Sequence, residues 1–248
     1  MVDVQKWQVP EVVHLLAEQL GHCGVTALSV ATGRTLTVKA RPRDDGTVNV
    51  WVDGRRSSLP PAVAATLDDH GIASSSADIV IESGPAPAID DRPALMIVGT
   101  GVAPPSDRRD ECRRAADALG LEHLADAGPD AVLKLEDEAL KACTRHVITE
   151  TARVRAATRA IESEAWAQLG TILTASHASL RDDFEASCAE LDVVTEAALE
   201  AGALGARMDL ALVAPERVPA VRELVERRFD GVGWQRPEVR TLGLAKRA

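Results

Sequence analysis

Three segments between residues 145 and 208 decide how the chain folds. They read RHVITETARV (145–154), LTASHASLRDDFEASCAELD (173–192) and GALGARM (202–208). Large apolar residues recur through this region at spacings of three, four and seven, which predicts one face of an amphipathic helix. Ser187 followed by Glu190 has the pattern of a capping box, so a second helix should begin there and end at Gly202. The apolar face consists of Trp166, Leu169, Leu173, Leu180 and Phe184.

The composition is that of a folded acidic protein. The chain has 248 residues, is 46% hydrophobic and carries a formal net charge of −10. Its negative charge argues against non-specific binding to nucleic acid, which needs a positive field. No apolar run reaches the about 18 residues that a membrane helix needs, and the first residues lack the apolar core of a signal peptide. We therefore expect a cytoplasmic protein that binds neither nucleic acid nor membrane.

The reactive side chains show no catalytic or metal-binding pattern along the sequence. The cysteines are scattered and include no C-x-x-C pair, which predicts free thiols in a reducing compartment and no metal site. Histidines on helical faces are predicted to be packed helix residues, because no neighbouring sequence marks them as bases. The residues concerned are Cys23, Cys112, Cys143, Cys188, His146 and His177.

The N-terminal third is predicted to form an antiparallel sheet with one wet face. Three segments rich in Val and Thr, 25–31, 35–40 and 47–52, are separated by Thr32-Gly33-Arg34 and Asp44-Asp45-Gly46, which read as turns. Residues 78–83 form a further β-branched strand. The stretch 7–20 is predicted to be a short helix or an irregular lead-in, because Pro10 can open a helix at its first turn.

The C-terminal part is predicted to combine helices with a final strand–helix–strand unit. An acidic helix is expected over 133–142, ahead of the long helices of the opening segments. Residues 209–215 and 238–244 are predicted strands that flank an amphipathic helix at 216–228. Such a βαβ unit is what a ferredoxin-like lobe requires.

The opening segments resemble the galactokinases of the GHMP sugar-kinase family. SHASLRDDFE (176–185) resembles the C-terminal helix signature of that family, and ELD (190–192) and GALGARM (202–208) follow in the family's order. The resemblance implies an α+β, two-lobed GHMP-kinase-like fold. It implies a truncated N-terminal lobe of antiparallel strands at 1–90 and a ferredoxin-like C-terminal lobe with long helices and a βαβ end at 91–248. Full members of the family use ATP to phosphorylate the 1-position of galactose.

The sugar motif of the family is present in outline only. The family's APGRVNLIGEHTDYNG falls without a gap on residues 9–24, VPEVVHLLAEQLGHCG. A valine cannot donate to a phosphate oxygen and a glycine cannot accept from a sugar hydroxyl, so most of the motif's chemistry should be lost. Glu18 matches the family's Glu and is the one candidate substrate-binding remnant. Val12, Gln19, Gly21 and His22 stand where the family has Arg, His, Asp and Tyr.

The loops that serve ATP and catalysis in the family are predicted to be missing. GIASSSA (71–77) is similar to the family's ATP loop, but it leads into the strand at 78–83 rather than into a helix, and it lacks the paired glycines. After Gly84 the chain passes through 85–91 straight to a strand at 94–98, without the segment that includes the catalytic Asp loop. Met208 is followed at once by a strand, without the family's glycine loop. No catalytic, nucleotide-binding or metal-binding residue is therefore predicted.

Three functional readings follow from these losses. The first is a galactokinase-derived protein without kinase activity, retained as a binding or regulatory module that needs no cofactor. The second is an active small-molecule or sugar kinase with a remodelled site that uses Mg-ATP, with Ser74–Ser76 at the phosphate and Glu18 or Asp78 near the substrate. The third is a decaying relic. A deletion within the N-terminal lobe should expose apolar surface that the missing segment would otherwise cover. We therefore expect a homodimer or a protein partner that covers the deleted region.

Overall fold

Two β-sheets and six α-helices make up the described part of the chain. The structure is a computed structural model that describes residues 4–57, 59–70, 72, 76–85, 90–102 and 108–245. The strands are β1 (Gln5–Leu16), β2 (Leu28–Pro42), β3 (Val48–Val52), β4 (Arg55–Arg56), β5 (Ala77–Ser83), β6 (Ala94–Gly99), β7 (Gly205–Arg207), β8 (Leu210–Val213) and β9 (Glu238–Gly243). The helices are α1 (Pro61–Asp69), α2 (Arg109–Leu119), α3 (Glu138–Glu162), α4 (Trp166–Asp182), α5 (Ala189–Glu200) and α6 (Val218–Val232).

The first sheet is mixed rather than wholly antiparallel. Its strand order is β1-β2-β5-β3-β4. β2 and β5 are antiparallel, with Val38 opposite Ile81, but β3 and β5 are parallel, with Val50 opposite Ile79. The predicted antiparallel lobe is wrong at this pair, because α1 lies in the connection from β3 to β5 and supplies the crossover that parallel strands need.

The first sheet has one dry face and one wet face, as the alternation of its residues predicted. On the wet face Lys39 pairs with Glu82 and Arg41 with Asp78, each at 2.6 Å across β2 and β5. Such cross-strand pairs of opposite charge add modest stability. The dry face packs against α1, with a core that includes Val38, Ala40, Val50, Val63, Leu67, Ile79 and Ile81.

Two predictions about the first strands are wrong. Residues 5–16 form strand β1 and not a helix, and Pro10 is tolerated because β1 lies at the edge of its sheet. β2 continues through Thr32-Gly33-Arg34, which was predicted to be a turn. Gly33 has a φ of +71°, and a glycine with positive φ inside a strand distorts the ladder locally without ending it.

The second sheet has the strand order of a ferredoxin-like lobe. The order is β7-β8-β6-β9, with β8 antiparallel to both β6 and β7. The connection from β8 through α6 to β9 therefore passes over β6, which is a split βαβ unit. The core beneath α5 and α6 contains Met96, Val98, Val194, Ala211, Val213, Val221, Val225 and Phe229.

The start of the long helix α3 corrects the predicted acidic helix at 133–142. Residues 129–134 form a separate 3-10 helix, and α3 begins only at Glu138. Asp137 sets this boundary because its side chain accepts hydrogen bonds from the backbone N–H groups of Ala139 (2.9 Å) and Leu140 (3.3 Å). No helix in the described part of the chain is both long and apolar enough to cross a membrane.

The amphipathic face of α4 is confirmed, whereas the capping box is wrong. Leu169, Leu173, Leu180 and Phe184 are all buried, and Trp166, the first residue of α4, is half-buried. Helix α5 begins at Ala189, and Ser187 donates its hydroxyl proton to Asp192 (2.6 Å) instead of capping a backbone N–H. Gly202, with a φ of +92°, follows the end of α5 as predicted.

Helix α4 and strand β7 touch through two glycines. A Cβ atom on Gly170 would overlap the backbone carbonyl of Leu204, and one on Gly205 would overlap the carbonyl of Gly170. Thr174 reinforces the contact, since its hydroxyl accepts a hydrogen bond from the backbone N–H of Ala206 (3.3 Å). The two backbones can approach this closely only because neither position carries a side chain.

The chain divides into two compact units. The first unit comprises Met1–Val13, Val30–Ala88 and Gly243–Ala248, and the second comprises His14–Ser29 and Ile89–Leu242. The lobe boundaries drawn from the sequence, 1–90 and 91–248, stay a prediction. Glu18 and the three fold-deciding segments all lie within the second unit.

Candidate functional site

The sugar-motif remnant Glu18 is held by a buried arginine. Glu18 follows Ala17, whose φ of +62° turns the chain at the end of β1. Its Oε1 accepts a hydrogen bond from Nη1 of Arg207 at 3.1 Å. Arg207 is only 4% exposed, so this contact satisfies a charge that would otherwise be costly to bury. Glu18 therefore forms an ion pair within the protein in this structure.

The other positions of the sugar motif lie on β1 and in the turn that follows it. Val12 is a half-buried residue of β1, and Gln19 lies in the turn. Gly21 opens the 3-10 turn Gly21–Cys23, and the exposed His22 is its middle residue. None of these four substituted positions carries a carboxylate or a guanidinium group, so Glu18 is the one charged residue that the motif keeps.

Arg207 belongs to a polar network that joins the three fold-deciding segments. Its Nε donates to Ser176 Oγ (2.9 Å), and Ser176 Oγ donates to Glu150 Oε1 (2.8 Å). The second carboxylate oxygen of Glu150 accepts from Arg153 Nε at 2.7 Å. Each segment thus contributes to the network, with Glu150 and Arg153 in α3, Ser176 in α4 and Arg207 in β7.

The network is built to hold charge in the protein interior. Glu150 is fully buried, and its carboxylate is tolerated because Arg153 and Ser176 bind it directly while Arg207 Nη2 lies 4.0 Å away. The Ser176 hydroxyl is fully occupied inside this network, since it donates to Glu150 and accepts from Arg207. The arrangement therefore links α3, α4 and β7.

A second buried set has the composition of a catalytic triad but the wrong order. His146 Nδ1 lies 2.9 Å from Ser179 Oγ, and Ser179 donates its proton to Asp183 Oδ2 (3.0 Å). The serine is therefore in the middle, and the imidazole donates to it instead of taking its proton. Arg145 binds the other oxygen of Asp183 (2.7 Å), and the ring of Phe184 covers His146 at a centroid distance of 4.4 Å.

His146 should make the stability of the protein depend on pH. Burial, reinforced by the positive charges of Arg153 and Arg207, lowers the pKa of His146 to about 3. The unfolded chain, with an ordinary histidine pKa of about 6.5, binds the proton more readily, so stability is full above that pH and falls as the pH drops towards 3. When the pH falls from about 7.5 to about 5, this histidine should lower the free energy of unfolding by about 2 kcal/mol.

Urea unfolding of the wild-type chain and of His146→Asn at both pH values measures this contribution. The variant should lose less stability than the wild type over the same interval, because asparagine does not titrate. Equal losses in the two chains would show that His146 does not carry the effect.

His177 supports the backbone at the end of the fold-deciding stretch. Its Nδ1 accepts from the backbone N–H of Met208 at 3.2 Å, and Met208 has a φ of +55°. Its Nε2 lies 3.2 Å from Asp192 Oδ1 but outside hydrogen-bond geometry. Burial lowers the pKa of His177, while the negative charge of Asp192 opposes the shift. The residue thus ties α4 to the backbone that follows β7.

Ser76 and Asp78, which the alternative kinase hypothesis places in its site, stabilise a turn in the first unit. Ser76 Oγ donates to the carbonyl of Arg43 (3.0 Å) and accepts from the N–H of Gly46 (3.2 Å). Asp78 binds Arg41, Arg43 and Asn49, and these partners, Arg41 foremost, lower its pKa to about 2. Ser74 and Ser75 lie outside the described residues.

The fold gathers three of the scattered cysteines into one cluster beside His22. Cys23 comes from the 3-10 turn, Cys112 from α2 and Cys143 from α3, and all three are buried. A hydrogen bond with Cys112 lowers the pKa of Cys23, and another with Cys112 raises the pKa of Cys143. One ligand atom each of His22, Cys23 and Cys112 lies within 4.8 Å of the other two. The linear spacing of these residues gives no sign of this proximity.

The comparisons in sequence point to the galactokinases. Over 145 residues the chain is 40% identical to the galactokinase of Streptomyces coelicolor, a match that covers 53% of this chain and 38% of that protein. Identity to the galactokinase of Mycobacterium tuberculosis is 36% over 143 residues, or 53% of this chain and 39% of the relative. The matched region thus spans about two fifths of the length of these relatives. No protein-family model matches the chain.

The comparisons in structure show the fold. The galactokinase of Lactococcus lactis, solved in complex with galactose, superposes with a TM-score of 0.67 at 18% identity, covering 99% of this chain and 95% of that one. The mevalonate kinase of L. major, in complex with R-mevalonate, gives a TM-score of 0.57 at 14% identity over 98% of this chain and 97% of that one. The chain therefore has the α+β fold of the GHMP kinases, and its resemblance to the galactokinases is confirmed over about half of its sequence.

Proposed function

We propose that this chain is a galactokinase-like protein without kinase activity, retained as a binding or regulatory module. The observation that carries the proposal is the fate of the sugar motif. Its one remaining acid, Glu18, is bound to Arg207 at 3.1 Å. Val12, Gln19 and Gly21 stand at the positions that the resemblance assigns to Arg, His and Asp. On this proposal, the remaining acid of a substrate motif serves the packing of the second unit, which contains both Glu18 and Arg207.

The chemistry of phosphoryl transfer supports the same conclusion. The reaction depends on positioning the phosphates and on neutralising their charge, since little covalent chemistry is left for the protein. Removing one electrostatic donor commonly raises the barrier by about 2.7–4 kcal/mol. The resemblance assigns several such groups to loops that the sequence lacks, and groups that act as a unit fail together. We therefore expect turnover at the level of the uncatalysed background.

A kinase assay tests the proposal directly. ADP release is measured with Mg-ATP and galactose, with the galactokinase of Streptomyces coelicolor as the positive control. The matched variant is Glu18→Ala, which should leave the background rate unchanged while lowering stability by about 1 kcal/mol, since Arg207 loses a charged partner. Galactose-dependent ADP release above background in the wild type would overturn the proposal, and its loss in Glu18→Ala would assign the activity to the remnant of the sugar motif.

The partner of such a module is expected to be a second copy of the chain or another protein. This expectation comes from the truncated lobe that the sequence predicts, and sedimentation velocity over a range of concentrations tests its homodimer form. A sedimentation coefficient that rises with concentration would support a homodimer. A monomer throughout would leave a different protein as the partner.

A further inference from the structure

The cluster of His22, Cys23 and Cys112 has the composition of a metal site. It presents one imidazole and two thiols, and the ligand atoms lie within 4.8 Å of one another. In a tetrahedral zinc site, bond lengths of about 2.0–2.3 Å place neighbouring ligand atoms about 3.5–3.8 Å apart. Ion binding would draw the three ligand atoms closer together, and His22 is the exposed member of the set.

The backbone already holds the ligands in place. His22 and Cys23 lie in a tight turn in which the N–H of Cys23 donates to Leu20 O (2.9 Å) and that of Gly24 to Gly21 O (3.1 Å). Gly24 has a φ of +83°, and a Cβ there would collide with the side chain of His123. Cys112 is fixed by the first turns of α2. Ligands on preorganised elements lose little freedom when an ion binds.

The cluster also has access to solvent and room for a further ligand. All three residues line one cavity of about 240 Å³, whose other charged side chains are Arg109, Asp110, Arg113, Asp117 and Glu122. A site with three protein ligands leaves the fourth tetrahedral position to a water molecule or to a small ligand in the cavity.

We propose that His22, Cys23 and Cys112 form a binding site for a thiophilic d¹⁰ metal ion, with Zn²⁺ as the fitting divalent case. Two thiolates and a neutral imidazole balance the charge of a divalent ion, and binding releases the two thiol protons. Thiolate ligands disfavour Mg²⁺ and Ca²⁺, which require oxygen. The bound ion joins the turn after β1 to α2, so it should stabilise the second unit. The site is independent of the proposed loss of kinase activity.

Titration of the fully reduced protein with Zn²⁺ and with Co²⁺ tests this site. We expect one equivalent of Zn²⁺ to bind and to raise the thermal midpoint, and Co²⁺ to give thiolate-to-metal charge-transfer absorption. Mg²⁺ should have no effect on either signal. Zn²⁺ that binds without raising the midpoint, or Co²⁺ without thiolate absorption, would overturn the assignment.

Single substitutions locate the ligands. Cys23→Ser and Cys112→Ser should each weaken Zn²⁺ binding by at least about 100-fold, because loss of a direct ligand exceeds the loss seen for supporting residues. His22→Ala should also weaken binding, and its exposed position lets this variant fold normally even if the buried ones do not. Cys188→Ser is the matched control, because Cys188 lies outside the cluster, and it should bind as the wild type does. Unchanged affinity in His22→Ala, or a loss in Cys188→Ser, would contradict the assignment.

Discussion

Gly170→Ala is expected to cost about 3 kcal/mol or more of unfolding free energy, near the upper end of what overpacking usually costs. The new Cβ would overlap the backbone carbonyl of Leu204, and backbone cannot rotate away as a side chain can. Helix α4 and strand β7 would therefore have to move apart. This would disrupt the core, because the two elements contain parts of two of the three fold-deciding segments. Urea unfolding followed by circular dichroism measures the loss.

Gly231→Ala is the matched control for this prediction. Gly231 lies inside α6 and is exposed, and nothing lies within 4 Å of the position of its added Cβ. Alanine there should stabilise the chain by about 0.4–1 kcal/mol, because it restricts the unfolded state and favours the helix. If both variants changed stability equally, the close approach of α4 and β7 would not be the cause.

Glu150→Ala should destabilise the protein by about 3–5 kcal/mol, since breaking a buried charge network leaves its partners uncompensated. Arg153 and Ser176 would lose their hydrogen-bond acceptor, and Arg207 would lose the carboxylate that lies 4.0 Å from its Nη2. The loss should appear as a lower urea midpoint with an unchanged dependence on urea concentration.

Glu223→Ala provides the comparison for a solvated carboxylate. Glu223 is exposed on α6 and pairs with Arg227 at 3.6 Å, so its removal should change stability by no more than about 0.5 kcal/mol. A cost below about 1 kcal/mol for Glu150→Ala would mean that the buried network does not hold the three segments together.

Apolar periodicity predicted much of the C-terminal fold because helices with one buried face leave that pattern in the sequence. The face of α4 was found correctly because each of its leucines contacts the core. The strand β1 was missed because Pro10 reads locally as a helix start, and only its edge position in the sheet makes a proline acceptable there. The parallel pairing of β3 and β5 was missed because strand direction depends on a crossover and not on strand composition.

For the candidate sites, too, some residues could be located from the sequence, whereas their contacts could not. The resemblance located Glu18, but only the structure pairs it with Arg207, which is 189 residues away along the chain. The cysteine cluster was missed because Cys23, Cys112 and Cys143 come from three separate elements, and the sequence contains no short ligand motif. Contacts between distant segments depend on tertiary packing, which local spacing does not encode.

The loss of the kinase site is tested most directly by thermal denaturation of the purified chain with Mg-ATP, with galactose and with both. The shift of the thermal midpoint reports whether either ligand binds. A ligand that binds the native state raises the midpoint in proportion to the logarithm of its concentration. We expect one cooperative transition whose midpoint neither ligand moves. A midpoint that rises with the concentration of Mg-ATP would contradict this expectation, because a nucleotide site would then exist in a chain whose kinase loops are proposed to be lost.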